Sequence, residues 1–470
     1  MITVSLQWIA EQLGAEVVGT HDASAVMIDK VSTDTRDDLT DALFIALRGH
    51  NFDAHDFIDQ ASEQGARAVI CSHPVATDIP QLVVEDTRYA LGQLGAAVKA
   101  EVAPKTVAIT GSNGKTTVKE MLASILSQQH QVLATQGNFN NDIGVPLTLL
   151  RLTRAHQYAV IELGANHPGE IAYTTALTKP DVALLNNVSA AHVEGFGSLQ
   201  GVARAKTEIF RGLSDEGLAI TTAHSEFLPC WQRNREGKRL QTFGMDNSAD
   251  VYASKVELDE DGKARFCLHL FGQQADVALQ LTGKHNVLNA LAASSAAYEL
   301  GIGIADIVNG LQLLHPVAGR LTTFKLNDKV RLIDDTYNAS VASTKAALEL
   351  LSGYQGYRIM VLGDMGELGA DARAYHEEIG AYALEQDIDN LFTLGVLSQS
   401  ASEVFNGRGG KHFSSLQNVV EEVLQIITQH QQQQPVTVLV KGSRSAHMER
   451  VVAALKEHIQ PTQREDRHAC

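Results

Sequence analysis

Three observations predict an α/β chain of three modules. Short apolar runs alternate with amphipathic helical stretches almost throughout, the pattern of parallel sheets covered by helices. The chain has 470 residues, which at roughly 150 residues per domain allows about three. With 44% of residues hydrophobic and 20% charged, it holds enough apolar material for several cores, and global disorder is excluded.

The elements follow in order. Ser5 caps a helix that places Leu6, Ile9, Ala10 and Leu13 on one face and stops at Gly14. Ile79-Pro80 and Ala103-Pro104 bracket a boundary, and His315-Pro316 ends a helical stretch at a second. The division expected is 1–98, 99–315 and 316–470. Residues 431–434, a glutamine run before Pro435, read as a solvated loop, and the polar tail from Pro461 reads as frayed.

Residues 105–110 read as a buried strand, and Gly111-Ser112-Asn113-Gly114-Lys115-Thr116-Thr117 turns it into a helix with Val118, Met121, Leu122, Ile125 and Leu126 on one face. Glycines let backbone N–H groups close around phosphate oxygens, and a helix N-terminus adds partial positive charge. Lys115 can reach terminal phosphates and the Thr116 hydroxyl can ligate Mg2+, as in an ATP site. The full phosphate-loop pattern asks for glycine where Ile109 stands, so the match is to the shortened form G-x-x-G-K-T.

Residues 158–163 form another apolar run, interrupted by Glu162, which either faces Mg2+ at the carboxyl end of its strand or points to solvent at an edge. The run 181–188 ends in Asn186 and Asn187 and is followed by His192, either a structural histidine or a metal or phosphate contact. Ser198 caps a helix through Val202, Ala205, Ile209 and Leu213. Lys206 falls on that apolar stripe, where it either snorkels to water or is held inside for a task that uses its amine. Asn286 and Asn289, one turn apart in a small-residue helix, either read a purine edge or serve as a cap and an exposed amide. In the last third, strands ending in Asp334-Asp335, Gly363-Asp364 and Lys441-Gly442-Ser443-Arg444 gather polar groups where a second α/β module presents a ligand surface.

Charge and cysteines bound the function. Lys plus Arg number 38 against 55 Asp plus Glu, a net charge of −17, which opposes coating of nucleic acid. The first twenty residues contain Glu11 and Glu16 with no basic start, and no stretch approaches the roughly eighteen apolar residues of a membrane helix. A cytoplasmic protein without membrane insertion is expected. Cys71, Cys230, Cys267 and Cys470 lie too far apart for a zinc or disulfide pattern.

The combination resembles the Mur ligases over nearly the whole chain. The resemblance is carried by Thr110 through Thr117, by Gly137-Asn138-Phe139-Asn140-Asn141-Asp142-Ile143-Gly144, and by Glu162 through Ile171. Asn187 through His192, Ala205-Lys206-Thr207-Glu208-Ile209-Phe210 and Gly363 through Gly369 add to it. Within that family it resembles the members that join D-alanyl-D-alanine to UDP-N-acetylmuramoyl-tripeptide with ATP, through an acyl phosphate, in cytoplasmic peptidoglycan precursor synthesis. It implies an N-terminal domain for the uridine nucleotide substrate, a central ATP domain, a C-terminal Rossmann-like domain for the incoming dipeptide, and a monomer.

By residue, the resemblance implies that Gly111, Ser112, Asn113, Gly114, Lys115, Thr116 and Thr117 hold ATP, with Asn289 reading adenine and Arg320 and Asp335 touching phosphate and ribose. It implies Mg2+ at Thr116 and Glu162, a second Mg2+ near His192, and a carbamylated Lys206 that supports the metal. Asp34, Thr35, Arg36 and Gly49 in the first domain, with Asn138 and Asn141 in the second, are implied in substrate binding. The family commonly has Ser at Thr35, Gly at Ala54, and Asn-Pro where this chain has Ser340-Val341.

Overall fold

The structure, a computed structural model, describes residues 1–49, 52–189, 193–234 and 237–459. Three mixed sheets succeed one another along the chain, of five, nine and six strands, beside a two-stranded ribbon near the N-terminus. The first sheet runs Glu16–Val18, Gln81–Val83, Ala68–Cys71, Leu43–Ile45, Val31–Ser32, parallel except for its first pair. The expected opening helix is present as Leu6–Leu13, with Ser5 Oγ accepting from Trp8 N and Gly14 left-handed at its end.

In the central sheet Lys105–Thr110 lies between Tyr158–Glu162 and Val182–Leu185, with Val107 opposite both Val160 and Val182 in parallel ladders. The three strands are apolar and buried almost along their whole length, as strands covered by helices on both faces must be. The chain leaves Lys105–Thr110 toward one side of the sheet and later returns to the other, so the loops after these three strands meet at a topological switch point. The far edge is an antiparallel meander, Val251–Leu258, Lys263–Leu270 and Gln273–Thr282.

Helix Lys115–Leu126 buries the five apolar residues expected of it. At about 1.5–3 kcal/mol for each large apolar side chain taken from water, that face holds the helix in place whatever its intrinsic propensity. Helix Ile304–Leu313 approaches it closely because residue 310 is glycine; a Cβ there would stand 2.4 Å from Ile125 Cα. Ser124 Oγ donates to Gly310 O at 2.7 Å across the same contact.

Two expectations are corrected. The division at 98/99 cuts through one continuous helix, Thr87–Val102. Asp86 caps it by accepting from Arg88 N and Tyr89 N, and it ends only where Ala103 turns left-handed before Pro104. Its buried Leu91, Leu94 and Val98 belong to an apolar core that also includes Ile9 and Ile28 of the first module and Val145 and Ile161 of the second. The stretch expected as one helix through Leu213 is instead helix Leu199–Thr207 followed by a tighter 3-10 turn, Glu208–Gly212.

The C-terminal sheet runs Thr322–Lys325, Val330–Asp335, Val436–Lys441, Tyr357–Gly363, Asn390–Leu394, Gly410–Phe413, parallel apart from the first pair. Its register sets Asp335 beside Lys441 and Lys441 beside Leu362, so the polar strand ends expected from the sequence do meet. The hairpin loop before Lys263–Leu270 reaches over from the central module. Asp261 Oδ1 accepts from Arg331 Nη2 at 2.9 Å, and Asp261 O accepts from Tyr354 Oη at 2.8 Å. This clasp holds the second and third modules facing one another.

Candidate active site

A cavity of about 990 Å3 opens between the central and C-terminal modules, lined from both sides. Its floor is the glycine turn. Gly114 has φ +77°, and a Cβ there would stand 2.4 Å from Asn289 Oδ1 and 2.7 Å from Asn186 Nδ2, so both conformation and space require glycine. The turn is stapled to the end of the neighbouring strand. Ser112 N donates to Asn187 O at 3.0 Å and Asn113 N to Asn187 Oδ1 at 2.9 Å, while Asn186 Nδ2 and Asn187 Nδ2 both donate to Asn113 O at 3.0 Å. Lys115 Nζ donates to Gly111 O at 2.8 Å, folding back over the loop. Burial pushes its amine down, with Glu162 opposing that shift.

Glu162 is buried and not at a solvent-facing edge. Its carboxylate accepts from Thr116 Oγ1 at 2.9 Å and from Asn140 Nδ2 at 2.8 Å. Arg320, from the loop that enters the C-terminal module, donates through Nη2 to Thr116 Oγ1 at 3.0 Å and stacks 4.0 Å over the Tyr337 ring. Its buried Nε has no hydrogen-bond partner among the described residues, and an orphaned guanidinium N–H inside a polar cavity suits an anionic ligand. Two hard oxygen donors, a carboxylate and a hydroxyl, beside a phosphate-type loop suit Mg2+, which binds through one or two carboxylates plus substrate phosphates.

Lys206 does not snorkel. It is 1% exposed, and burial together with the charge of Lys115 holds its amine well below the ordinary lysine range. Its amine has no hydrogen bond or ion pair with any described residue. A buried lysine whose charged form is disfavoured by burial and by a second cation has the chemistry to react with carbon dioxide.

Asn286 and Asn289 are both buried, so neither is an exposed amide, and Lys284 holds the position before the helix His285–Glu299. They form a relay in which Asn186 Nδ2 donates to Asn289 Oδ1 at 3.0 Å, Asn289 Nδ2 to Asn286 Oδ1 at 2.9 Å and Asn286 Nδ2 to Thr282 O at 2.7 Å. Asp335 accepts from Lys441 Nζ at 2.5 Å, and the same amine donates to Asn338 O at 2.9 Å.

Ser112, Asn113, Thr117, Asn138 and Asn141 line the same cavity; Asp34, Thr35, Arg36 and Gly49 do not. Asp34 lies in the N-terminal module, where side-chain and backbone donation from Arg36 lowers its carboxyl to about 2. Gly49 N donates to Phe52 O at 2.9 Å. His192 falls outside the described residues.

Four participants were missed from sequence. Asn140 holds Glu162, and its neighbour Asn141 accepts from Gly144 N at 2.8 Å. Asn186 and Asn187 hold the glycine turn, and their position at a strand end was the available signal. Ser340, noted only as a departure, forms a capping box with Ser343 at the start of helix Val341–Ser352 and donates to Asn113 Oδ1 at 2.8 Å across the cleft.

The Mur ligase middle domain family matches residues 109–297, the glutamate ligase domain of Mur ligases matches 319–444, and the Mur ligase family catalytic domain matches 27–130. UDP-N-acetylmuramoyl-tripeptide--D-alanyl-D-alanine ligase of Escherichia coli K12 is 45% identical over 459 residues, 97% of this chain and 99% of that protein. The enzyme of the same name from Haemophilus influenzae is 44% identical, covering 98% and 100%. Among solved structures, MurF from Acinetobacter baumannii superposes with a TM-score of 0.91 at 38% identity, covering 97% of this chain and 99% of that one. MurF ligase from Thermotoga maritima in complex with ADP gives 0.82 at 27% identity, covering 92% and 97%.

Proposed function

The chain belongs to the Mur ligase family, and from that premise we propose how its cleft works. The protein is an ATP-dependent ligase that joins D-alanyl-D-alanine to UDP-N-acetylmuramoyl-tripeptide in peptidoglycan synthesis. The terminal carboxylate of the tripeptide attacks the γ-phosphorus of ATP, the bond to the β-phosphate oxygen breaks, and ADP leaves. The dipeptide amine then attacks the carbonyl carbon of the acyl phosphate, loses a proton, and expels phosphate as the amide forms.

The central module binds ATP and the C-terminal module brings the dipeptide, with the uridine nucleotide on the N-terminal module around Asp34, Thr35, Arg36 and Gly49. The observation that carries this reading is the meeting of Thr116, Glu162 and Arg320 across two modules on the glycine turn. Lys115, Arg320 and the N–H groups of the turn neutralise and orient the triphosphate, so catalysis is mainly positioning plus charge stabilisation. Asn289 reads adenine and Asp335 holds ribose, with Lys441 fixing its carboxylate. Asn138 and Asn141 face the peptide end of the donor substrate.

Thr116 and Glu162 would hold Mg2+, which would supply charge neutralisation on the phosphates; by the family resemblance alone His192 would serve a second ion. Lys206 carries a carbamate, which turns a buried amine into an anion suited to a neighbouring metal. The enzyme acts as a monomer in the cytoplasm, upstream of wall assembly, cell shape and division; among the described residues no helix is long and apolar enough to cross a membrane.

The test is ADP release with ATP and UDP-N-acetylmuramoyl-tripeptide, with and without D-alanyl-D-alanine, and product mass. Dipeptide-dependent turnover and a new amide are expected. ATP turnover indifferent to the dipeptide, or preference for a single amino acid, overturns the reading.

A further inference from the structure

The geometry points to Arg444 as the residue that binds the terminal carboxylate of the incoming dipeptide. This rests on the ligase reading above. D-alanyl-D-alanine is a zwitterion whose amine has to stay free to attack the acyl phosphate, so its fixed handle is the carboxylate at the other end. Buried carboxylates are held by cations, and a guanidinium fork is the best match.

Among the described residues, the cationic or imidazole side chains lining the cavity are Lys115, His285, Arg320, Lys441, Arg444 and His447. Lys115 and Arg320 are committed to the glycine turn through Gly111 and Thr116. Lys441 is buried against Asp335. Burial lowers the pKa of the His285 imidazole, which weakens it as a cation. Arg444 and His447 remain, on the C-terminal wall.

Arg444 is 67% exposed, and its nearest acid, Glu449, stands 3.7 Å away, beyond a hydrogen bond. It therefore has a full fork to offer. His447 is 3.4 Å from the same carboxylate and presents a ring without that bidentate geometry.

The loop that carries Arg444 is held firmly. Ser443 N and Oγ both donate to Asp364 O, at 2.9 and 2.7 Å, and Met448 is buried behind it.

The experiment measures steady-state kinetics of the full chain and of Arg444→Ala and Arg444→Lys, using ATP, UDP-N-acetylmuramoyl-tripeptide, and either D-alanyl-D-alanine or its C-terminal carboxamide. The parent is expected to favour the free acid over the carboxamide, and Arg444→Ala to lose that preference. KM for the dipeptide should rise by about 10- to 100-fold, the scale of a lost charge-assisted hydrogen-bond pair, while KM for ATP and for the uridine substrate stay within about twofold. Arg444→Lys should recover part of the loss, because charge returns without the fork. An Arg444→Ala enzyme that still discriminates acid from carboxamide as the parent does, or whose loss falls on KM for the uridine substrate, overturns the assignment. A parent that forms no amide with the dipeptide overturns the activity itself, and the assignment with it.

Discussion

Replacing Glu162 with glutamine separates the structural from the catalytic role of the most enclosed carboxylate in the cleft. Glu162 is 2% exposed and accepts from both Thr116 Oγ1 and Asn140 Nδ2. Glutamine keeps the volume and one acceptor oxygen but turns the other into an NH2 donor, so one of the two donors loses its partner. A hydrogen bond to a charged group contributes about 1.5–3 kcal/mol, and an orphaned buried donor costs about 1–3 kcal/mol. Thr116 Oγ1 can recover part of this by accepting from the new amide, since hydroxyls have two lone pairs, which leaves a net cost of about 1–2 kcal/mol. Against a typical domain stability of about 5–15 kcal/mol, the variant stays folded at 25 °C, with Tm lower by a few degrees. Activity should fall far more, by at least about 1,000-fold, because the charge that opposes the metal is gone. Thermal unfolding and dipeptide-dependent ADP release are measured on the same preparation. A Glu162→Gln enzyme within about tenfold of the parent in kcat would refute the role given to this carboxylate, as would an activity loss that disappears once unfolded protein is subtracted.

Other consequences follow from the same geometry. Lys206→Ala should abolish ligation yet regain measurable activity with added acetate or formate, since a small carboxylate can replace the carbamate; activity unaffected by the substitution would contradict that role. Gly114→Ala should lower both Tm and ATP affinity, because a left-handed non-glycine residue costs about 1–2 kcal/mol and its Cβ would displace Asn289 and Asn186; unchanged calorimetric ATP binding would count against the stapled turn.

His376 offers a pH signature. It is fully buried, its Nε2 accepts from Met365 N at 3.0 Å, its Nδ1 faces Ala372 O at 2.7 Å, and burial lowers its pKa. The unfolded chain therefore takes up a proton below pH about 6.5 that the folded chain resists, so stability is full above that pH and falls as pH drops through it, by at most about 1.4 kcal/mol per pH unit for this one group. His376→Gln should flatten that slope in denaturant melts between pH 5 and 7, and an unchanged slope would show that the imidazole is not the titrating group.

Much of the cleft was legible because its elements are periodic. The strand and helix around Gly111–Lys115 announce themselves through an apolar run and a stripe recurring every three to four residues, and both occur where expected. Lys206 and Glu162 stood out for the same reason, as charges interrupting apolar patterns, and both are buried. Asn140, Asn186, Asn187 and Ser340 carry no such signal. An amide or hydroxyl at a loop end is equally consistent with a turn, and the partner of Ser340 lies 227 residues away in sequence. The first boundary was misplaced because prolines on both sides were read as the break, whereas the helix between them belongs to a core shared by two modules.

The central claim is that the tripeptide carboxylate is activated by the γ-phosphate of ATP in this cleft. Ligation with UDP-N-acetylmuramoyl-tripeptide labelled with oxygen-18 in its terminal carboxylate tests it most directly. The released phosphate should carry one labelled oxygen, because the C–O bond to that oxygen breaks when the dipeptide amine attacks. Unlabelled phosphate, with amide product formed, would contradict the account.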